Sequence, residues 1–418
     1  MDVPGSTQVG PEPRLSGRGA ATRAARQQSL RHHNLGLTLR HIIDAPTPVS
    51  RADVAAATGL TRATVSALVD RLLAAGLVAE LEPVVGHRAG RPAVPLVPAR
   101  GTVAAVGMEV NVDYLGVRAL DLAGRVISER IELGDFRGSE PGEVLDRLAR
   151  LAGAVLALLS ADGVALVGSA LALPGLVDTV TGPLRVAPNL GWREVDVVGL
   201  LAAHPVLAGM PPRLMNEANL AARAEAHARR VSGPTSFVYV SGEVGVGGAI
   251  VLDGTIFGGR HGWSGEIGHL VLGTSGAFED GGTLESFAGQ DAILARAGLA
   301  RSTSVQDLLA AAAGDEAVRG VLADAGRALG TALANVVNIV DVHHVVLGGI
   351  YAQLAEHLRE PVVEQLRRRV ITAQWSTVEL SVAVAGQFPA MTGGALAVLE
   401  TLVDDPAGWA GEDVLHPA

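Results

Sequence analysis

Lysine is absent from this 418-residue chain, whose 33 basic residues are all arginine, and cysteine is absent as well. Without lysine there is no Walker A lysine and no Schiff-base amine. Without cysteine there is no thiol nucleophile, disulfide or thiolate zinc site. Long apolar runs are also missing. The nearest to one, Gly163 to Val177, falls short of a membrane span and is broken by Pro174-Gly175. The first residues, with Asp2, Pro4, Gly5 and scattered arginine, lack the apolar core of a secretory signal. The expectation is a cytoplasmic protein with no membrane contact, and a chain of this length should hold two or three folding units.

The net charge of -10 hides a division along the chain. Residues 1–100 carry 12 arginines against 7 acidic residues, whereas residues 101–418 carry 21 against 36. Displacing counterions from phosphate requires a basic face, so any nucleic-acid contact belongs at the front, and the back of the chain should repel DNA.

Residues 1–28 are rich in Gly, Pro, Ser, Gln and Arg without apolar periodicity, which predicts a disordered tail. From Ser29, Leu30, Leu35, Leu37, Leu39, Ile42 and Ile43 recur at helical spacing until Pro46 and Pro48 end the run. Ser50-Arg51-Ala52-Asp53 then forms a capping box for a short helix reaching Thr58. Gly59-Leu60 turns the chain, Thr61 caps a third helix running to Ala75, and Gly76 stops it. On this helix Val65, Leu68, Leu72 and Leu73 share a packing face. Arg62, Ala63, Thr64, Ser66 and Ala67 at its start are small or polar, as a major groove requires.

Leu77 to Glu82 alternates as a strand, Val85 to Gly90 reads as a loop and Ala93 to Val97 as a returning strand, so residues 29–98 make a winged helix-turn-helix. The wing tip contains Arg88 and Gly90-Arg91-Pro92, an extended tripeptide able to present Arg91 to a minor groove. The candidate DNA-binding set is Ser50, Arg51, Thr61, Arg62, Thr64, Ser66, Arg88, Gly90 and Arg91.

Beyond Gly101 strand, turn and helix signals alternate to about Glu400. Strands are expected near Val103 to Met108, Tyr114 to Asp121 and Arg125 to Leu133, with a helix from Pro141 to Ser160. Glycine clusters at Gly242 to Gly248, Gly258 to Gly268, Gly348-Gly349 and Gly393-Gly394 suggest backbone packed around a cleft. Residues 401–418 read as a C-terminal tail.

Five ordered motifs in this region carry a resemblance. They are Leu173 to Asp178, Pro188-Asn189-Leu190-Gly191-Trp192, Asn216-Glu217-Ala218-Asn219, Gly245-Val246-Gly247-Gly248 and Gly265-Glu266-Ile267-Gly268-His269. Together with the helix-turn-helix and the Gly-Arg-Pro wing they resemble the ROK family, which groups sugar repressors of the xylose and N-acetylglucosamine type with glucokinase-like sugar kinases. The resemblance implies an α/β architecture in which residues 101–400 adopt a bilobed, actin-like, sugar-kinase-like fold. It also implies a sugar held in the cleft by Gly175 through its backbone and by Asn189, Asn216, Glu217, Glu266, His269 and Glu285. Carboxylates, amides and imidazole suit a ring of hydroxyls because each can pair with two of them.

The chain departs from the kinase branch of that family at both phosphate loops. Where kinases carry Asp-x-Gly-Gly-Thr, this sequence reads Glu109-Val110-Asn111-Val112-Asp113, and Glu243-Val244-Gly245 replaces Gly-Thr-Gly. Carboxylates where phosphate would lie argue against ATP. Glu217 also stands where the kinases use aspartate as general base, and the extra methylene displaces the carboxylate. The three cysteines that usually bind zinc with His269 are missing from Leu270 to Glu285, and Glu279 and Asp280 do not replace them, so neither metal nor cofactor is expected. The reading is a non-enzymatic repressor of carbohydrate genes whose partners are double-stranded operator DNA, a sugar effector and a second copy of itself, as a homodimer or a dimer of dimers. The alternative is an active ATP-dependent sugar kinase with a DNA-binding extension.

Overall fold

Pro46 and Pro48, Gly59 and Gly76 punctuate the front of the chain into three helices, as the sequence predicts. A computed structural model describes residues 16–83, 94–178, 182–273 and 282–409, with side chains from residue 29. Two compact units emerge, Met1–Pro98 with Thr401–Ala418, and Ala99–Glu400.

The front unit contains α1 (Ser16–Asp44), β1 (Val49–Ser50), α2 (Arg51–Thr58), α3 (Arg62–Ala74), β2 (Val78–Glu80) and β3 (Pro95–Pro98). Its three strands form a small sheet in the order β1-β3-β2. Leu35, Leu39, Ile42, Val54, Val65, Leu72 and Leu77 are fully or nearly fully buried at its centre. Ser50 accepts from the Asp53 amide while the Asp53 carboxylate accepts from the Ser50 amide at 2.8 Å, which is the expected reciprocal cap. Gly59 lies in the left-handed region at φ 72°, and its N–H closes α2 on the Ala55 carbonyl.

Two boundaries differ from expectation. Helix α1 starts at Ser16, so residues 16–28 are helical where disorder was expected. Alanine, arginine and glutamine dominate residues 20–28 and favour helix without an apolar stripe. At the other end the expected tail from 401 is corrected. Helix α13 (Pro389–Asp404) continues past Glu400, and Leu402, Val403 and Ala407 are buried in the front unit, where Asp404 pairs with Arg40.

The back unit repeats one topology. In its first lobe β4 (Val103–Val110), β5 (Tyr114–Asp121) and β6 (Val126–Leu133) run antiparallel. The helix α4 (Pro141–Ala161) then leads to β7 (Ala165–Leu173), parallel to β4. A small sheet of β8 (Leu176–Val177), β9 (Leu184–Ala187) and β10 (Trp192–Val195) follows. Next come α5 (Val197–Ala203) and β11 (Arg213–Asn216), which pairs parallel with β7. Helix α6 (Glu217–Arg229) leads to the second lobe, where β12 (Phe237–Gly242), β13 (Val246–Leu252) and β14 (Thr255–Ile256) again run antiparallel. After β15 (Val271–Leu272), β16 (Gly282–Thr283), α7 (Leu284–Ala288), α8 (Gln290–Arg296), α9 (Val305–Gly314) and α10 (Glu316–Val340), β17 (His344–Gly348) joins β12 in parallel. Then α11 (Gly349–Gln353) and α12 (Ala355–Arg369) precede β18 (Glu379–Val382).

The two five-stranded sheets thus read β11-β7-β4-β5-β6 and β14-β13-β12-β17-β18, one pattern used twice. Helices α6 and α13 pack between them in an apolar cluster that includes Leu220, Ala221, Phe237, Tyr239, Val346 and Ala390. Glycine makes this contact possible, since a Cβ on Gly107 would lie 1.8 Å from the Met391 carbonyl oxygen.

Candidate functional site

The turns at the ends of corresponding strands in the two lobes converge on one cleft. From the first lobe come the β4–β5 turn at Asn111, the β7–β8 turn at Gly175, the β9–β10 turn at Asn189 and the β11–α6 junction at Asn216 and Glu217. The second lobe contributes the β12–β13 turn at Glu243 to Gly245, the Glu266 to His269 segment and Glu285 on α7. All seven expected sugar residues, Gly175, Asn189, Asn216, Glu217, Glu266, His269 and Glu285, line a single cavity of about 100 Å³.

Each wall has a local cause. Gly175 has φ 133°, and a Cβ there would lie 2.2 Å from the Val186 carbonyl oxygen, so only glycine lets the backbone reach the cavity. Asn216 caps α6 by accepting from the Asn219 amide at 3.0 Å and donates from Nδ2 to the Gly175 carbonyl at 3.0 Å. One N–H and one lone pair on that amide remain for a ligand. Glu285 accepts from the Val246 amide at 2.9 Å, which fixes one carboxylate oxygen. Partial burial lifts the Glu266 carboxyl above its ordinary range, opposed by the charge of His269.

Sequence reasoning missed two contributors. Ser241 lines the cavity from the end of β12. Trp263 donates from Nε1 to the Val177 carbonyl at 3.1 Å and stacks on His261, tying the glycine-rich 258–268 segment to the strand after Gly175. A lone tryptophan inside a glycine-rich stretch was the available signal.

The two altered phosphate loops meet. Asn111 donates to Glu109 Oε1 at 3.3 Å and to Glu243 Oε2 at 3.4 Å, so the acidic turns of both lobes are joined through one amide. Burial pushes the Glu109 carboxyl from the ordinary 4.5 up to about 7. It also pushes Glu243, with help from the charges of Glu109 and Asp113, up to about 8. Glu217 is raised well above the carboxylate range by burial and then by Glu243, Glu109 and Asp113.

These shifts carry a sign for stability. Between the ordinary carboxylate range and pH 8 the folded chain keeps protons that the unfolded chain has released, so stability falls as pH rises through that window. Glu109→Gln, which cannot ionise, should therefore be more stable than wild type at pH 8 by about 1–2 kcal/mol and equal to it at pH 4. Urea melts at the two pH values measure this, and a constant difference between the proteins would refute it.

On the front unit, Thr61 caps α3 by accepting from the Thr64 amide at 3.2 Å. Thr61, Arg62 and Ala63 are exposed, Thr64 and Ser66 half-buried, and Val65, Leu68, Val69 and Leu72 face inward. Leu73, expected among the packing residues, is half-buried. Ser50 spends its side chain on the α2 cap. Arg51 pairs with Asp70 at 2.9 Å and with Glu80, so it ties α2 to α3 and β2 and has little left for DNA. The wing residues Arg88, Gly90 and Arg91 lie outside the described residues, as do Glu279 and Asp280.

Comparison with known proteins agrees with both halves. A ROK family model matches residues 143–401 and a MarR family model residues 36–89. The xylose repressor of Caldicellulosiruptor bescii is 26% identical over 382 residues, covering 84% of this chain and 92% of the repressor. Among solved structures, a ROK family transcriptional regulator described as a homologue of the Escherichia coli MLC protein shares 26% identity with a TM-score of 0.72. That match covers 90% of this chain and 97% of the regulator. A ROK hexokinase from Thermus thermophilus matches at 28% identity and a TM-score of 0.56, over 70% of this chain and 97% of the hexokinase.

Proposed function

The chain belongs to the ROK family, and from that membership we propose that it is a DNA-binding repressor of sugar-metabolism genes whose operator affinity is set by a sugar bound in the cleft. One observation carries the reading. The chain joins a helix-turn-helix to a cavity on which all seven hydroxyl-binding candidates converge. A xylose repressor and a ROK family transcriptional regulator are similar to it over most of their length.

Phosphoryl transfer to that sugar is not expected. Glu109, Asp113 and Glu243 set three acidic side chains where the phosphate loops of a kinase would cradle ATP, in place of the open glycine backbone whose N–H groups receive phosphate. The protein binds sugar without phosphorylating it, in the cytoplasm where its operator lies. It acts as a dimer or a dimer of dimers on a roughly palindromic site. Effector coupling of about 1–3 kcal/mol changes operator affinity by roughly five- to a hundredfold.

The test is operator binding by fluorescence anisotropy across a panel of sugars and sugar phosphates, with ATP hydrolysis measured in parallel. A sugar-dependent change without turnover supports the proposal, and steady ATP-dependent phosphorylation overturns it. Arg62, exposed at the first position of α3, contacts the operator together with Thr64 and Ser66. Arg62→Ala should weaken operator binding about tenfold and reduce its salt dependence. Equal affinity of variant and wild type at two salt concentrations would remove Arg62 from the interface. The wing arginines Arg88 and Arg91, with Gly90, complete the proposed surface.

A further inference from the structure

Asn189 on the β9–β10 turn of the first lobe and Glu285 on α7 of the second approach each other across the cleft, since a Cβ on Gly245 would lie within 3.0 Å of both side chains. Each is tied to a charged residue that the sugar cavity does not use. On the first lobe this is Arg137, between β6 and α4. A Cβ on Gly191 would lie 3.1 Å from the Gly138 Cα, and the Trp192 indole donates to the Ser139 carbonyl at 2.9 Å, so Arg137 is held to the turn that carries Asn189. On the second lobe it is Asp291, in the first turn of α8. Only Gly289 separates α8 from α7, and its N–H donates to the Glu285 carbonyl at 2.9 Å, so Asp291 is held to Glu285.

Arg137 Nη2 stands 3.8 Å from Asp291 Oδ1, near enough to attract and too far to hydrogen-bond. Both groups are incomplete at this contact. Arg137 Nε and Asp291 Oδ1 are buried atoms without a hydrogen-bond partner. Elsewhere the same two side chains are occupied, Arg137 Nη1 by Asp135 at 3.3 Å and Asp291 Oδ2 by Arg301 Nε at 3.6 Å. Nε and Nη2 share one edge of the guanidinium, an edge at which it can take a carboxylate through two parallel bonds. Other polar contacts across the cleft are already made. Trp263 Nε1 donates to the Val177 carbonyl at 3.1 Å, and Asn111 Nδ2 donates to Glu243 at 3.4 Å. The Arg137 and Asp291 pair alone among these three falls short, and an approach of the lobes by about 1 Å would close it.

We propose, on the reading that the cleft binds sugar, that Arg137 and Asp291 are positioning residues forming a latch, which closes to hydrogen-bond contact when the ligand draws Asn189 and Glu285 together. Neither residue lines the sugar cavity, so the latch acts through the two that do. Buried polar atoms left unpaired raise the free energy of the open form, and closure removes that cost. A ligand shifts such an equilibrium only by contacts that differ between the two states, and the closed pair supplies one. Sugar enters while the pair is open and leaves only after it breaks, so the latch lengthens residence more than it speeds entry.

A double-mutant cycle on the full-length protein tests the latch, read by calorimetric titration with glucose, xylose, N-acetylglucosamine and their phosphates, and by thermal melts without sugar. Arg137→Gln and Asp291→Asn should each weaken binding of the sugar that wild type takes by about three- to tenfold, and the double variant should bind no more weakly than either single one. In the ligand-free protein, where the pair is open, the same two substitutions should be independent in their effect on Tm. Arg301→Gln, which removes the other cation beside Asp291, should leave sugar affinity within about twofold of wild type. Sugar affinities unchanged in the single variants, or additive losses in the double variant, overturn the latch while the sugar reading stands. Equal coupling in the ligand-free melts also overturns it, since the pair would then be a fixed structural contact. If wild type binds none of these ligands, the sugar reading and the latch fall together.

Discussion

Gly245→Ala is expected to abolish the proposed response to sugar and to leave operator binding intact. A Cβ at this position would lie 2.5 Å from Glu285 Oε2 and 3.0 Å from Asn189 Nδ2, the ends of two candidate sugar-binding side chains from opposite walls of the cavity. Gly245 is not among the glycines with positive φ, so alanine meets no backbone penalty. Both obstructing atoms are side-chain ends that can move. The methyl group therefore displaces Glu285 and Asn189 without breaking the lobe. Glu285 also loses alignment with the Val246 amide that now holds it at 2.9 Å.

Mispositioning one charged and one neutral hydrogen-bonding group costs about 2–4 kcal/mol in ligand affinity, which is roughly thirty- to several-hundredfold. Calorimetry with the effector and anisotropy with the operator separate the two activities. Wild-type sugar affinity in the variant would place the effector elsewhere. Loss of operator binding by a folded variant would show that the cavity governs DNA affinity without any ligand.

The helix-turn-helix was legible in the sequence because its signals are local. Ser50, Asp53, Gly59 and Thr61 act within a few residues of themselves, and each caps or turns the backbone as its side chain dictates. The seven cavity residues were legible only through the family resemblance. Asn189 and Glu285 are far apart along the chain, and no periodicity in the sequence brings them to one cavity. Arg51 illustrates what a local reading cannot see, since its partners Asp70 and Glu80 come from α3 and β2 and occupy a cation that otherwise suits DNA. The end of α13 was misjudged for a related reason. Leu396, Leu399, Leu402 and Val403 keep helical spacing past Glu400, but the surface that buries the last two belongs to the front of the chain. The acidic loops were visible as charge at Glu109 and Glu243, whereas their junction through Asn111 required the fold.

The close packing of α13 against α6 sets the second large effect. A Cβ on Gly393 would stand 1.8 Å from the Leu220 carbonyl oxygen and 2.6 Å from its carbon, so the obstruction is backbone and no rotamer relieves it. Gly393→Ala must push the two helices apart inside the apolar cluster they share between the sheets. The expected cost is about 3–5 kcal/mol, a fall in Tm of roughly 10 °C for a unit of this size. Gly320→Ala is the matched control. Gly320 lies exposed within α10 with nothing within 4 Å of a Cβ, so alanine there should stabilise by up to about 1 kcal/mol through helix propensity. The damage from Gly393→Ala should also reach the ligand. Leu220 lies one turn from the start of α6, where Asn216 caps the helix and Glu217 faces the cavity, and displacement of that end moves both. A Gly393→Ala protein that folds should therefore bind sugar more weakly than the Gly320→Ala protein. Thermal melts and effector titrations of the pair decide this, and equal Tm values would mean that α6 and α13 are not held in backbone contact.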